Sequence, residues 1–95
     1  MKIWNFGIIG AGLIADFHAK AIQSLNNAQL VGICGTNQDK AQRLAEKYHC
    51  TWYNDDLELL RADNIDIVTI ATPSGAHMEP VITAAKYGKH VICEK

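Results

Sequence analysis

A chain of 95 residues, 48% of them apolar and 20% charged, has the balance of one ordinary globular domain, long enough to bury a core but small enough to be only marginally stable. Its 9 basic and 10 acidic residues are dispersed and sum to a formal charge of -1, which excludes the electrostatic footprint of a nucleic-acid or anionic-membrane binder. The start MKIWNFGIIG has neither a membrane-length apolar run nor a cleavage site, and Cys34, Cys50 and Cys93 are odd in number and widely spaced. The expectation is a soluble, cytoplasmic protein with reduced thiols and no disulfide or metal framework.

Short apolar runs alternate with stretches of helical period, the pattern of a parallel sheet with crossover helices. Ile3 to Ile9 reads as the first strand. It ends at Gly10, after which Ile14, Phe17, His18, Ala21, Ile22 and Leu25 recur as one helix face, stopped by Asn26 and Asn27. Gln29 to Cys34 is the second strand, and Asn37 is the N-cap of a helix whose Ala41, Leu44, Ala45 and Tyr48 share a face. Cys50 to Tyr53 is a short third strand, followed by a brief helix capped by Asp55 or Asp56 and carrying Leu57 and Leu60. Ile65 to Ala71 forms a fourth strand buried on both faces. Thr72, Pro73, Ser74 and Gly75 make a turn. A helix starting near His77 then groups Met78, Val81, Ile82 and Ala85 and ends at Gly88, and His90 to Glu94 is a fifth strand.

Right-handed crossovers arrange these as a doubly wound sheet of order 3-2-1-4-5, in which ligands sit beyond the carboxyl ends of the strands where the order reverses. The turns after Ile9, Cys34, Ala71 and Cys93 are therefore the places to look. Gly10-Ala11-Gly12-Leu13-Ile14-Ala15 fits G-x-G-x-x-G/A directly between a strand and a helix. The first glycine allows the tight turn, the second leaves room for a pyrophosphate, and the small third residue lets helix and strand approach. Helix-start amides from Gly12 to Ile14 would face that anion, aided by the helix dipole. A methyltransferase can also place a glycine turn after its first strand, and the motif alone does not separate the two.

The end of the second strand normally carries a carboxylate that holds the ribose 2'-hydroxyl of NAD and repels the 2'-phosphate of NADP. Here the segment is Cys34-Gly35-Thr36-Asn37, with no acid. Thr36 and Asn37 can donate hydrogen bonds there, and Lys40 or Arg43 can supply positive charge, so the cofactor is NAD or NADP with a lean to NADP.

Three stretches together resemble the oxidoreductase family of glucose-fructose oxidoreductase, inositol dehydrogenase and the rhizopine-catabolism protein. They are Gly7 to His18, Ala71-Thr72-Pro73-Ser74 with His77, and Gly88 to Lys95, which looks like the family's strand ending in Glu-Lys-Pro, cut before the proline. The resemblance implies that Ala71, Thr72, Pro73, Ser74 and His77 line the cofactor, that Glu94 and Lys95 lie by the nicotinamide, and that Lys95 reaches towards substrate oxygen. It implies hydride transfer to or from a sugar, cyclitol or related polyol. It also implies a second, larger domain and a sixth strand, neither of which this sequence supplies. Residues 1–95 are thus expected to be part of a dinucleotide-binding domain, inactive alone, whose parent binds a small-molecule substrate and forms any homo-oligomer through the remaining domain.

A non-catalytic dinucleotide sensor is the alternative from another class, disfavoured by a lysine at position 95, which a sensor does not need. His18 reads as a packed helix residue, Trp4 and Trp52 as packing residues, and His49 and His90 have no companions at metal-ligand spacing.

Overall fold

The computed structural model describes residues 2–10, 12–35, 37–53, 56–71 and 86–93. Strands β1 (Trp4–Ile9), β2 (Ala28–Cys34), β3 (Thr51–Trp52), β4 (Ile67–Ile70) and β5 (His90–Cys93) form one sheet. All neighbours pair in parallel, in the order β3-β2-β1-β4-β5. Helices α1 (Leu13–Gln23), α2 (Gln38–Tyr48) and α3 (Asp56–Arg61) connect the first four strands. The expected sheet order is therefore observed, with strands β3 and β4 shorter than the apolar runs that announce them. The turn over 72–75 and the helix from His77 lie outside the described residues. Gly88, where that helix was expected to stop, has φ +74, the left-handed conformation of a helix-ending glycine. Among the described residues no helix is long and apolar enough to cross a membrane.

The sheet separates two apolar clusters. Phe6, Ile8, Leu30 and Ile33 meet Ala15, Ala19, Ala41, Leu44 and Tyr48 on the side of α1 and α2. Ile9, Cys34, Val68 and Ile70 meet Leu59, Leu60 and Ile65 on the other. Leu30 and Ile33 share a face although they are three apart, which strict alternation forbids. A register shift between Phe6 and Gly7 explains this: Phe6 pairs with Leu30 and Gly7 with Gly32, so Val31 is an extra residue in β2. Opposite the bulge the α3 side packs so tightly that a Cβ on Gly7 would lie 2.9 Å from Leu59 Cδ2, and one on Gly32 would lie 2.6 Å from Tyr53 Cε2.

The first helix corrects the sequence reading. Ala15, Ala19 and Ile22 are its buried residues, whereas Ile14 and Phe17 are 50% and 61% exposed and Leu25 is exposed as well. Of the apolar stripe drawn from Ile14 to Leu25, Ile22 does face the core, while Ile14, Phe17 and Leu25 turn away from it. Two fully buried alanines let α1 approach the strands closely, and the bulkier apolar residues are pushed to its flanks.

The end of β1 is the tightest junction of the fold. Gly10 has φ +131, and a Cβ there would sit 2.7 Å from the carbonyl oxygen of Ala71. Gly10→Ala is expected to lower the unfolding free energy by about 1–3 kcal/mol from backbone strain alone, with a further loss from the clash. Urea unfolding checks this as a lower midpoint at unchanged slope. An unchanged midpoint would show that the junction between β1 and β4 tolerates a side chain.

Candidate functional site

The carboxyl ends of β1, β2 and β4 converge on Gly10. Its N–H donates to the Cys34 carbonyl at 2.6 Å, and the Ala71 N–H donates to the Ile9 carbonyl at 2.8 Å. The turn after β1 is therefore held from both sides at the point where the strand order reverses, and it is followed at once by α1. This is where open α/β sheets present their ligand crevice.

Among the described residues no side chain caps the start of α1, whose N-cap is Gly12. Asp16 N–H is the amide that bonds back to Gly12, at 3.2 Å from its carbonyl oxygen. The N–H groups of Leu13, Ile14 and Ala15 precede that bond and so have no acceptor within the helix. Gly12 itself has φ -90 and ψ -161, an extended conformation open to any residue, and a Cβ built on it meets nothing within 4 Å. Neither backbone nor packing requires glycine at this position. A ligand lying against the backbone would, and the helix-start amides and positive helix end suit an anion. A dinucleotide's pyrophosphate fits this set of groups.

The second helix start differs. Asn37 Oδ1 accepts from Lys40 N–H at 3.1 Å, so α2 caps itself. Asn37 retains its side-chain NH₂ as a donor at the end of β2. Lys40 is exposed, and Gly35 is buried with no carboxylate between Cys34 and Asn37. Of the residues singled out from sequence, Gly10, Gly12, Leu13, Ile14 and Ala71 thus gather at one edge of the sheet. Asn37 and Lys40 follow the adjacent β2 end. Ala11, Thr36, Thr72, Pro73, Ser74, His77, Glu94 and Lys95 lie outside the described residues.

Sequence reasoning missed a polar cluster behind this turn. Tyr48 Oη donates to Asp16 Oδ1 at 2.5 Å, and Lys47 Nζ donates to the same carboxylate at 3.1 and 3.3 Å. Lys20 Nζ stands 3.7 Å from Asp16 Oδ2. The Tyr48 hydroxyl and then Lys47 hold the Asp16 carboxyl below its ordinary value against the opposing effect of burial. Burial and then Asp16 push the Tyr48 phenol up. The signal was present in the sequence, since a tyrosine on a core face needs a partner for its hydroxyl. Lys89 was likewise read only as part of a family stretch; its ammonium donates to the carbonyls of Ala62 and Ile65, both at 2.6 Å, closing the chain after α3. His49, without a role by sequence pattern, is the left-handed C-cap of α2.

An open cleft of about 680 Å³ lies at the opposite, amino-terminal edge of the sheet, lined by Gln23, Val31, His49, Cys50, Thr51 and Asn64. Burial pushes the Cys50 thiol up to about 11, so it is protonated at neutral pH and is no nucleophile. The cleft lies away from the strand ends where the helix starts converge, and it holds no reactive set of groups.

Known proteins share this arrangement. D-glucoside 3-dehydrogenase of Escherichia coli K12 is 39% identical over 90 residues, covering 93% of this chain and 26% of that protein. Myo-inositol dehydrogenase from Lactobacillus casei, solved in complex with NAD(H) and myo-inositol, superposes with a TM-score of 0.93 at 27% identity, over 98% of this chain and 28% of that one. Biliverdin reductase from Synechocystis, solved with biliverdin and NADP+, gives 0.90 at 27% identity, over 96% of this chain and 29% of that one. The chain thus spans little more than a quarter of each. The family model of the oxidoreductase family with an NAD-binding Rossmann fold, Gfo/Idh/MocA, matches residues 4–95. With that match over nearly its whole length, and with the glycine turn, the strand order and the uncapped first helix in place, the chain belongs to the Gfo/Idh/MocA oxidoreductases as their NAD-binding Rossmann fold.

Proposed function

We propose that this chain is the cofactor-binding part of a cytoplasmic NAD(P)-dependent oxidoreductase that moves hydride between a nicotinamide and a carbinol carbon of a sugar, cyclitol or related polyol, or the corresponding ketone. The observation that carries this reading is Gly12, a glycine that neither backbone conformation nor packing demands, set at an uncapped helix start. The amides of Leu13, Ile14 and Ala15 would take the pyrophosphate. The dipole of α1 adds roughly 0.3–1 kcal/mol, so most of the binding comes from those hydrogen bonds. Thr36, Asn37 and Lys40 would meet the adenosine ribose, with Gly35 leaving space for a 2'-phosphate. Ala11, Ala71, Thr72, Pro73, Ser74 and His77 would continue the cofactor groove towards Glu94 and Lys95.

The bound nicotinamide supplies the hydride acceptor or donor, and the chain supplies position and charge. Oxidation of a carbinol leaves negative charge on its oxygen as the proton departs, and the Lys95 ammonium is the group we assign to stabilise it. Residues 1–95 would form the cofactor side of the site. Substrate choice, any further acid or base, and any homo-oligomer contact would come from the rest of the protein. The named relatives support that division, because a glucoside dehydrogenase and a biliverdin reductase share this fold while differing in substrate.

Gly12→Val tests the cofactor site. The added side chain enters open space, so the protein should still fold, losing at most about 1 kcal/mol because valine is a poorer N-cap than glycine, and should lose measurable affinity for both dinucleotides by calorimetry. Retained affinity would remove the glycine turn from the site. In the same titrations Gly35→Asp should move the ratio of dissociation constants towards NAD, by repulsion of the 2'-phosphate. A separate measurement addresses Lys95: in the full-length protein, Lys95→Met should slow single-turnover hydride transfer on the order of 100-fold while changing cofactor affinity little. Wild-type transfer in that variant would leave Lys95 with no part in the chemistry.

A further inference from the structure

Tyr48 grips α1 at two places. Its carbonyl accepts from Gln23 Nε2 at 3.3 Å in the last turn, and its hydroxyl donates to Asp16 Oδ1 at 2.5 Å in the first. Between these points its ring belongs to the core cluster that contains Ala15 and Ala19, both fully buried. Two attachments about two turns apart fix both the axial slide and the tilt of α1 against α2. The upper one is covalently close to the ligand edge, because the Asp16 N–H makes the bond to Gly12 that begins the helix. We infer that Tyr48 and Asp16 are positioning residues for the dinucleotide, setting where along its axis α1 offers the Leu13, Ile14 and Ala15 amides. This rests on the reading of that turn as the cofactor site.

A carboxylate one turn behind a pyrophosphate site carries the wrong sign for the ligand, yet its surroundings cancel it. Lys20 of α1 and Lys47 of α2 both approach Asp16, so the cluster carries a net positive charge. Asp16 is 21% exposed, against 61% and 53% for the two lysines, which places the tie below the more exposed charges. A charged acceptor makes a shorter and stronger bond to a phenol than a neutral one does, and strength of attachment is what a positioning contact requires. Binding groups displaced by a fraction of an ångström lose affinity although all remain present.

The test measures the dissociation constant for NAD in the full-length protein at a temperature where circular dichroism shows each variant fully folded. Tyr48→Phe keeps the ring and every charge, Asp16→Asn removes the carboxylate charge, and the double variant closes the cycle. Each single change should weaken binding about three- to tenfold. The double should be no weaker than the worse single, since both break one contact. A role confined to stability would lower the melting temperature and leave the constant of the folded protein unchanged, which would overturn the inference. Tighter binding by Asp16→Asn would overturn it too, by showing that repulsion outweighs position. Should Tyr48→Phe fail to fold, Gln23→Leu loosens the other grip without altering charge and should weaken NAD about twofold; no change there is equally contrary. A wild-type protein that binds neither NAD nor NADP would instead strike the cofactor reading itself, and the inference with it.

Discussion

The close seating of α1 on the sheet governs the rest of the structure. Ala15 and Ala19 are fully buried against Phe6, Ile8, Leu30 and Ile33, and only side chains this small allow such an approach. The helix must begin almost as soon as β1 ends, so the chain turns at Gly10 with φ +131 between the Cys34 and Ala71 backbones. That geometry brings the uncapped end of α1 to the carboxyl edge of the sheet, beside the ends of β2 and β4. Tight packing and ligand exposure are two consequences of one constraint.

The two helix starts divide the work. An N-cap side chain stabilises a helix by about 1 kcal/mol, which α2 gains through Asn37 and α1 forgoes. Elsewhere α1 recovers attachment through Tyr48, Asp16 and the flanking lysines. A helix without a side-chain cap needs to be held by something else. The two glycines of the turn differ in consequence: Gly10 has φ +131 hard against the Ala71 backbone, whereas a Cβ on Gly12 meets nothing within 4 Å.

Much of this was legible in the sequence. Five apolar runs and the residues between them carry the sheet order, because parallel strands joined by helices have few alternatives. The glycine turn was legible because Gly10 and Ala15 answer distinct steric demands, a tight turn and a close helix–sheet approach. The face of α1 was not. Periodicity ranks Ile14, Phe17 and Leu25 above alanines, while close helix–sheet packing selects Ala15 and Ala19 and turns the larger residues outward. The bulge at Val31 was also hidden, since it is a matter of how β1 and β2 pair and not of either strand's own pattern. Asp16 and Tyr48 lie 32 positions apart, beyond the reach of any local pattern. The methyltransferase alternative to the glycine turn is set aside by the family match.

A dinucleotide's pyrophosphate is proposed to rest on the first amides of α1. Titration of the ¹⁵N-labelled full-length protein with NAD, followed by amide chemical shifts, addresses it without any substitution. The amides of Leu13, Ile14 and Ala15 should move most and saturate together. If they stay fixed while Gln23, Val31 and Thr51 at the opposite edge of the sheet respond, the ligand lies elsewhere and the account is wrong.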